Sequence, residues 1–163
     1  MNLNRISPLR PAARLLLHAL PAVLASLAGT AHADGDRRAV PLMPAYVQEC
    51  GSCHVAFAPG LLPAASWQRL MDGLPRHFGT DASAEPAVTR PIAAWLQANA
   101  ATHKRTEVPP QDRITQAAWF TREHRDVQGG FGRAPVPKAV DCAGCHTRAA
   151  DGSFREREIR VPR

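Results

Sequence analysis

The sequence predicts a mainly α-helical protein with a regular N-terminal part and a small, irregular C-terminal part. Apolar residues recur at helical spacing between residues 66 and 101, whereas Gly and Pro clusters interrupt the chain beyond residue 108. With 163 residues, 45% of them hydrophobic, the chain has room for one medium domain or two very small ones. A disordered chain and a polytopic membrane protein are both excluded by this composition.

Residues 1–33 have the pattern of a cleaved signal peptide. Arg5, Arg10 and Arg14 precede an apolar run, and Ala31 and Ala33 fit the A-x-A cleavage pattern. The run is too short to span a bilayer and is broken by a proline, which disfavours an uncleaved anchor. We therefore expect a mature N-terminus at residue 34 and a periplasmic protein.

The net charge changes with this cleavage. The whole chain carries 20 Lys and Arg against 14 Asp and Glu, a net charge of +6. Removal of the leader takes three Arg and no acid, which leaves 17 against 14, or +3. Half of the net positive charge therefore belongs to the predicted signal peptide, and we expect no nucleic-acid partner.

Two C-x-x-C-H motifs contain all four cysteines of the chain. The first, Cys50 to His54, follows the predicted short helix P-A-Y-V-Q-E-C, which Pro44 opens. The second runs from Cys142 to His146. In each motif, two thiols about one helical turn apart can bond one porphyrin, and the adjacent imidazole can reach its iron. The sequence thus predicts two covalently bound haem c groups, held by Cys50, Cys53, His54, Cys142, Cys145 and His146.

Three other readings of the cysteines compete with haem attachment. They are a four-thiolate zinc site, thioredoxin-like redox chemistry and two structural disulfides. None of them requires a histidine directly after each second cysteine. The 88 residues between Cys53 and Cys142 are also long for a compact zinc ribbon.

The second predicted helix precedes a candidate ligand loop. Ser66 is expected to cap it, and Trp67, Leu70, Met71 and Leu74 form its apolar stripe. The helix breaks after Gly73, and His77 follows in a loop. The sixth ligand of the first iron is therefore either His77 or Met71. We favour His77, because Met71 fits the apolar face of its own helix.

A third helix is predicted from about Pro86 to Ala101, with Pro91 either kinking it or marking its true start. The arrangement is similar to a class I cytochrome c: a short helix runs into the C-x-x-C-H motif, a loop carries the candidate ligand, and a late helix carries an aromatic side chain. In that fold the first and last helices cross beside the haem, so we expect Tyr46 and Trp95 to meet.

The second half of the chain begins after a polar stretch. Residues 34–101 are predicted to form the first haem domain, 102–112 a linker and 113–163 the second haem domain. His103 lies in the linker and is a weaker ligand candidate. A short helix with Thr115 as its cap is expected to carry His124, the favoured sixth ligand of the second iron. The charged tail is predicted to be a solvated strand, with an Arg–propionate contact as the alternative.

The residues resemble the family of small exported dihaem cytochromes c. The resemblance rests on E-C-G-S-C-H, L-L-P-A-A-S-W with H-F-G, R-I-T with W-F-T-R-E-H, and D-C-A-G-C-H-T ending in E-I-R-V-P. It implies two histidine ligands on each iron, with the family's distal positions falling on His77 and His124. It also implies electron exchange with a membrane b-type cytochrome and with small soluble c-type haem proteins.

The resulting hypothesis is a periplasmic electron carrier and not an enzyme, with iron ligands His54 and His77 in one site and His124 and His146 in the other. One alternative is a peroxidase or small-molecule oxidoreductase with one open iron, which predicts a high-spin signal. The other is an interaction module stabilised by zinc or disulfides, which predicts a mass without haem.

Overall fold

The computed structural model describes residues 40–103, 105–127 and 130–162. In these residues it contains four α-helices: α1 (Pro44–Cys50), α2 (Ala64–Asp72), α3 (Pro86–Ala98) and α4 (Ala118–Glu123). No β-strand occurs in the same ranges, and two isolated bridges join His77 to Thr80 and His146 to Ile159. The mainly helical prediction is confirmed. The predicted leader lies outside the described residues.

Single 3₁₀ turns make up most of the remaining regular structure. In the described part of the chain they span Pro59–Leu61, Leu74–Arg76, Pro110–Asp112, Ile114–Gln116, Cys142–Gly144, Ala149–Asp151 and Glu156–Glu158. Five of the seven follow residue 109, where closely spaced Pro and Gly residues prevent longer helices. None of the described helices is long and apolar enough to cross a membrane.

The predicted cap of α2 is wrong. The helix begins at Ala64, so Ser66 lies inside the first turn. The carbonyl of Pro63 accepts the N–H groups of Ser66 and Trp67 at 3.0 and 3.2 Å. Pro63 has extended backbone geometry and so starts the helix without a side-chain cap. The Ser66 side chain is instead fully buried.

Helix α3 starts at Pro86 and continues through Pro91 to Ala98, so Pro91 is neither its start nor its end. A proline in this place removes one backbone donor from the helix. The helix ends three residues earlier than predicted. There the Asn99 side chain donates to the carbonyl of Trp95 at 2.8 Å, which satisfies a carbonyl of the last turn.

The first hydrophobic core joins α1 to α3. Tyr46 and Trp95 meet with ring centroids 5.5 Å apart, which confirms the predicted helix contact. Ile92 and Leu96 are almost completely buried beneath them. The Tyr46 hydroxyl donates to the carbonyl of Phe57 at 3.0 Å, which ties the segment after the first C-x-x-C-H motif to this core.

A second core contains residues from both halves of the chain. Leu61 packs with Ala117, Trp119 and Phe120, all of them buried. The cap predicted for α4 is wrong, because Thr115 lies in the preceding 3₁₀ turn and Ala117 is the residue before the helix. Helix α4 ends at Glu123, and this places His124 directly after its last turn.

The segment predicted as a linker contacts both α2 and α4. Arg69 of α2 makes two hydrogen bonds to the Asp112 carboxylate, at 2.9 and 2.6 Å. The guanidinium of Arg105 lies 4.4 Å from the centre of the Trp119 ring. All described residues belong to one compact unit. The proposed division at residues 102–112 stays a prediction.

Candidate functional site

The structure brings the four predicted iron ligands together as two histidine pairs. The ring centroids of His54 and His77 are 6.2 Å apart, with their planes inclined by 28°. Those of His124 and His146 are 6.0 Å apart and inclined by 69°. Each pair joins the histidine of one C-x-x-C-H motif to a histidine from a separate segment.

The spacing within each pair fits a metal ion between the two rings. Metal–imidazole bonds of first-row metals are about 2.0 Å long. A five-membered ring with bonds of about 1.33 Å has its centre about 1.1 Å from each nitrogen. Two imidazoles on opposite sides of one ion would then have centroids about 6 Å apart. Both observed distances agree with this value.

The first site is built on the end of α1. The helix delivers Cys50, and the backbone then turns through Gly51 to Cys53 and His54, with the Gly51 N–H donating to the carbonyl of Val47 at 2.9 Å. The Nδ1 atom of His54 is 2.8 Å from the carbonyl oxygen of Val55. The Phe57 ring stacks on the imidazole with centroids 4.8 Å apart. These contacts fix the direction of the His54 ring.

His77 reaches the first site from a tight turn. Its N–H donates to the carbonyl of Leu74 at 3.3 Å, and its own carbonyl accepts the N–H of Thr80 at 3.0 Å. The turn needs positive φ at Phe78 (51°) and Gly79 (97°). The Nδ1 atom of His77 is buried and has no hydrogen-bond partner among the described residues.

The second site is a 3₁₀ turn held by the C-terminal tail. The His146 N–H donates to the carbonyl of Cys142 at 2.8 Å, and the N–H of Arg160 donates to the carbonyl of Cys145 at 2.8 Å. Ile159 forms the isolated bridge with His146. Of the two interpretations of the tail, a strand surrounded by solvent does not describe it fully, because its backbone is hydrogen-bonded to the second motif.

His124 faces this motif from the end of α4. Its Nδ1 atom is 2.9 Å from the carbonyl oxygen of Phe120, one turn earlier in the helix. The Phe120 ring stacks on the imidazole with centroids 4.0 Å apart and planes inclined by 22°. Phe131 packs on the same imidazole at 5.7 Å. His124 is therefore held by one hydrogen bond and two aromatic rings.

Burial favours the neutral imidazole of His77 and of His146, which is the form that binds metals. A carbonyl oxygen can only accept, so Nδ1 carries a proton in His54 and in His124, and this leaves Nε2 as the nitrogen that can bind a metal. Burial lowers the pKa of His77, and the facing His54 lowers it further. Burial likewise lowers the pKa of His146, followed by the effect of His124.

The alternative uses of the cysteines find no support in the described residues. Cys50, Cys53, Cys142 and Cys145 are all free of disulfides. Within the described ranges no three His, Cys, Asp or Glu side chains form a group that could hold a metal ion, so the cysteines do not build a four-thiolate zinc site. His103 is exposed, and Met71 packs against the first core.

The aromatic residues around the imidazoles were not identified from the sequence. Phe57 and Phe120 pack on His54 and His124, and Phe154 packs on His146 at 5.2 Å. A local signal exists for the first two, because each lies three or four residues from its histidine. No comparable signal exists for Phe131 and Phe154, which approach from separate loops.

Comparison with known proteins gives a consistent result. The family model described as dihaem cytochrome c matches residues 46–154. A diheme cytochrome type c from Shewanella baltica OS155 is 34% identical, with a TM-score of 0.63, and the match covers 76% of this chain and 95% of the other. Diheme cytochrome c from Rhodobacter sphaeroides is 37% identical, with a TM-score of 0.61 and coverages of 71% and 98%. No curated protein sequence matches the chain.

Proposed function

Because the chain belongs to the dihaem cytochrome c family, we propose that it is a periplasmic electron carrier in which two histidines ligate each iron. Membership of this family means that the chain carries two covalently bound c-type haems and takes part in haem-based electron transfer. In our proposal Cys50 and Cys53 attach the first haem, and Cys142 and Cys145 attach the second.

The observation that carries the ligand assignment is the matching spacing of the two histidine pairs. His54 with His77, and His124 with His146, each leave room for one metal ion between the rings. Neither of the other two candidates has this relationship to a C-x-x-C-H histidine, since His103 is exposed and Met71 contributes to the first core.

The protein's own residues set the environment of each iron. When bound, each haem supplies an iron that gains and loses one electron. The four imidazoles would hold the irons, and the carbonyls of Val55 and Phe120 orient two of the four rings. The rings of Phe57, Phe120 and Phe154 pack beside the histidines and would shield the ligand bonds from water.

Two histidine ligands on each iron would compete with a substrate for the metal, and this favours a relay over an enzyme. The periplasmic location is supported by the leader pattern of residues 1–33. We propose a membrane b-type cytochrome and a small soluble c-type haem protein as redox partners, as the resemblance to the family implies. The division into haem domains at 34–101 and 113–163, joined by 102–112, is part of the same proposal.

Single substitutions test the ligand assignment. His77→Ala and His124→Ala should each convert one haem, and only one, to the high-spin form in the absorption spectrum of the ferric protein. His103→Ala is the matched control and should leave both haems low-spin. A high-spin signal in His103→Ala, or none in His77→Ala or His124→Ala, would contradict the assignment.

A further inference from the structure

The two distal histidines are held very differently. His124 has a hydrogen bond from Nδ1 to the carbonyl of Phe120 and lies against the rings of Phe120 and Phe131. Hydrogen bonds of this kind fix a ligand's orientation and raise its basicity, so they strengthen its bond to a metal.

His77 lacks these supports. Its Nδ1 atom has no hydrogen-bond partner among the described residues. The only aromatic rings described against its imidazole are His54 across the site and the neighbouring Phe78, whose side chain is 45% exposed. His77 also sits in a turn with two consecutive residues at positive φ, and the first of them is not glycine.

His146, the ring without a hydrogen bond at the second site, is held in a different way from His77. His146 also has a buried Nδ1 atom without a partner in the described part of the chain. It is, however, adjacent to Cys145, and the backbone of the motif is fixed by bonds to Cys142 and from Arg160. An imidazole tethered in this way stays beside the metal. His77 is therefore the least secured of the four ligands.

We propose that the first haem is an exchange site for small neutral gas ligands of the carbon monoxide type, with His77 as the ligand that leaves. This inference rests on the proposed function, because it requires His77 on the iron. In the ferrous protein, the bond from iron to the His77 nitrogen breaks and a bond from iron to the gas forms. No electron is transferred, and the released imidazole keeps its lone pair.

The expected difference between the two sites follows from the missing hydrogen bond. Loss of such a contact to a ligating histidine typically lowers metal affinity by about 10- to 100-fold. Carbon monoxide competes with the histidine, so its apparent affinity should be higher at the first haem by about the same factor. At intermediate gas concentrations, only one haem should then bind it.

A count of bound carbon monoxide per protein tests this proposal and identifies the haem. The dithionite-reduced wild-type protein should bind its first equivalent at a lower gas concentration than its second, as measured by spectrophotometric titration. Under the same conditions, His77→Ala should still bind one, because the variant opens the haem that already exchanges. His124→Ala should bind two, one at each haem.

Other outcomes overturn the proposal. One is a wild-type protein that binds no carbon monoxide, or that binds two equivalents with equal affinity. The other is two bound equivalents in His77→Ala and one in His124→Ala. If His124→Ala does not accumulate, Phe131→Ala replaces it. The Phe131 ring packs on His124 and on Phe120 at the second site, so an increase in the affinity for the first equivalent in this variant would place exchange at the second haem.

Failure of the ligand assignment gives a separate result. If ferric His77→Ala keeps both haems low-spin, then His77 is not a ligand and the proposed function is wrong at this site. If ferric His77→Ala is high-spin and the reduced wild type still binds no gas, only the exchange proposal fails.

Discussion

The imidazole planes of His124 and His146 are inclined by 69°, whereas those of His54 and His77 are inclined by only 28°. At the second site, His124 lies directly after the end of α4. There the stacked ring and the carbonyl of Phe120 fix the plane of His124. Two sites with the same ligand types therefore differ in ligand orientation.

The first prediction concerns the magnetic signatures of the two irons. Near-parallel imidazole planes separate the energies of the iron orbitals that hold the unpaired electron, whereas crossed planes leave them nearly equal. Electron paramagnetic resonance of the ferric protein should therefore show one ordinary rhombic low-spin signal and one signal with much larger anisotropy. Phe131→Leu should alter only the anisotropic signal, and its matched control Phe57→Leu only the rhombic one. A single signal type for both irons would contradict the assignment of the planes.

The second prediction concerns the space inside the second C-x-x-C-H motif. A Cβ atom at Gly144 would lie 2.6 Å from Cγ of Pro137 and 2.9 Å from its Cβ, so Gly144→Ala must displace the motif or the proline. We expect a lower fraction of chains with two haems, measured by intact mass. Gly60→Ala is the matched control, because nothing lies within 4 Å of its added Cβ. Equal haem content in the two variants would contradict this packing.

The third prediction concerns the ion pair between α2 and the following segment. The hydrogen bond from Arg69 holds the pKa of Asp112 below its ordinary value of 3.8, although partial burial opposes this effect. The resulting stabilisation is fully present above that value and is lost as the pH falls through the lower pKa of the folded protein.

Thermal unfolding across pH measures this stabilisation. Arg69→Met should lower the melting temperature near neutral pH. The difference from the wild type should shrink below pH 3.8 and disappear once the pH has fallen through the lower pKa of Asp112 in the folded protein. The matched control Arg90→Met removes an exposed charge from α3 and should have little effect. A difference for Arg69→Met that persists unchanged in acid would show that the ion pair is not its source.

The fourth prediction concerns the first core. Leu96 is completely buried, so Leu96→Ala should lower the free energy of unfolding by about 2–5 kcal/mol through lost burial and the cavity left behind. Val47→Ala on α1 is the control, because its side chain is 39% exposed and surface changes typically cost about 0.5 kcal/mol or less. Chemical denaturation measures both values, and similar values for the two variants would argue against this core.

Features with a covalent or periodic signature were predictable from the sequence. The C-x-x-C-H spacing is local, and the helix of residues 44–50 runs directly into it. Helical periodicity also located α3, and the contact of Tyr46 with Trp95 followed from the expected helix crossing. Proximity of each motif histidine to His77 or His124 was expected from the small number of candidate ligands.

Features that depend on tertiary packing were not predictable. Ser66 and Thr115 have the side chains of helix caps, yet burial and a 3₁₀ turn place them elsewhere. The tail pairs with the second motif because that irregular segment has unmet backbone hydrogen bonds, which no local pattern reveals. The contact of the His124 ring with Phe131, a residue from a separate loop, likewise has no local signal.

Near-infrared magnetic circular dichroism of the ferric wild-type protein tests the central claim most directly, because its charge-transfer band identifies the axial ligands of each iron. We expect bis-histidine bands with the intensity of two haems and no high-spin component. A histidine–methionine band or a high-spin band equivalent to one haem would contradict it.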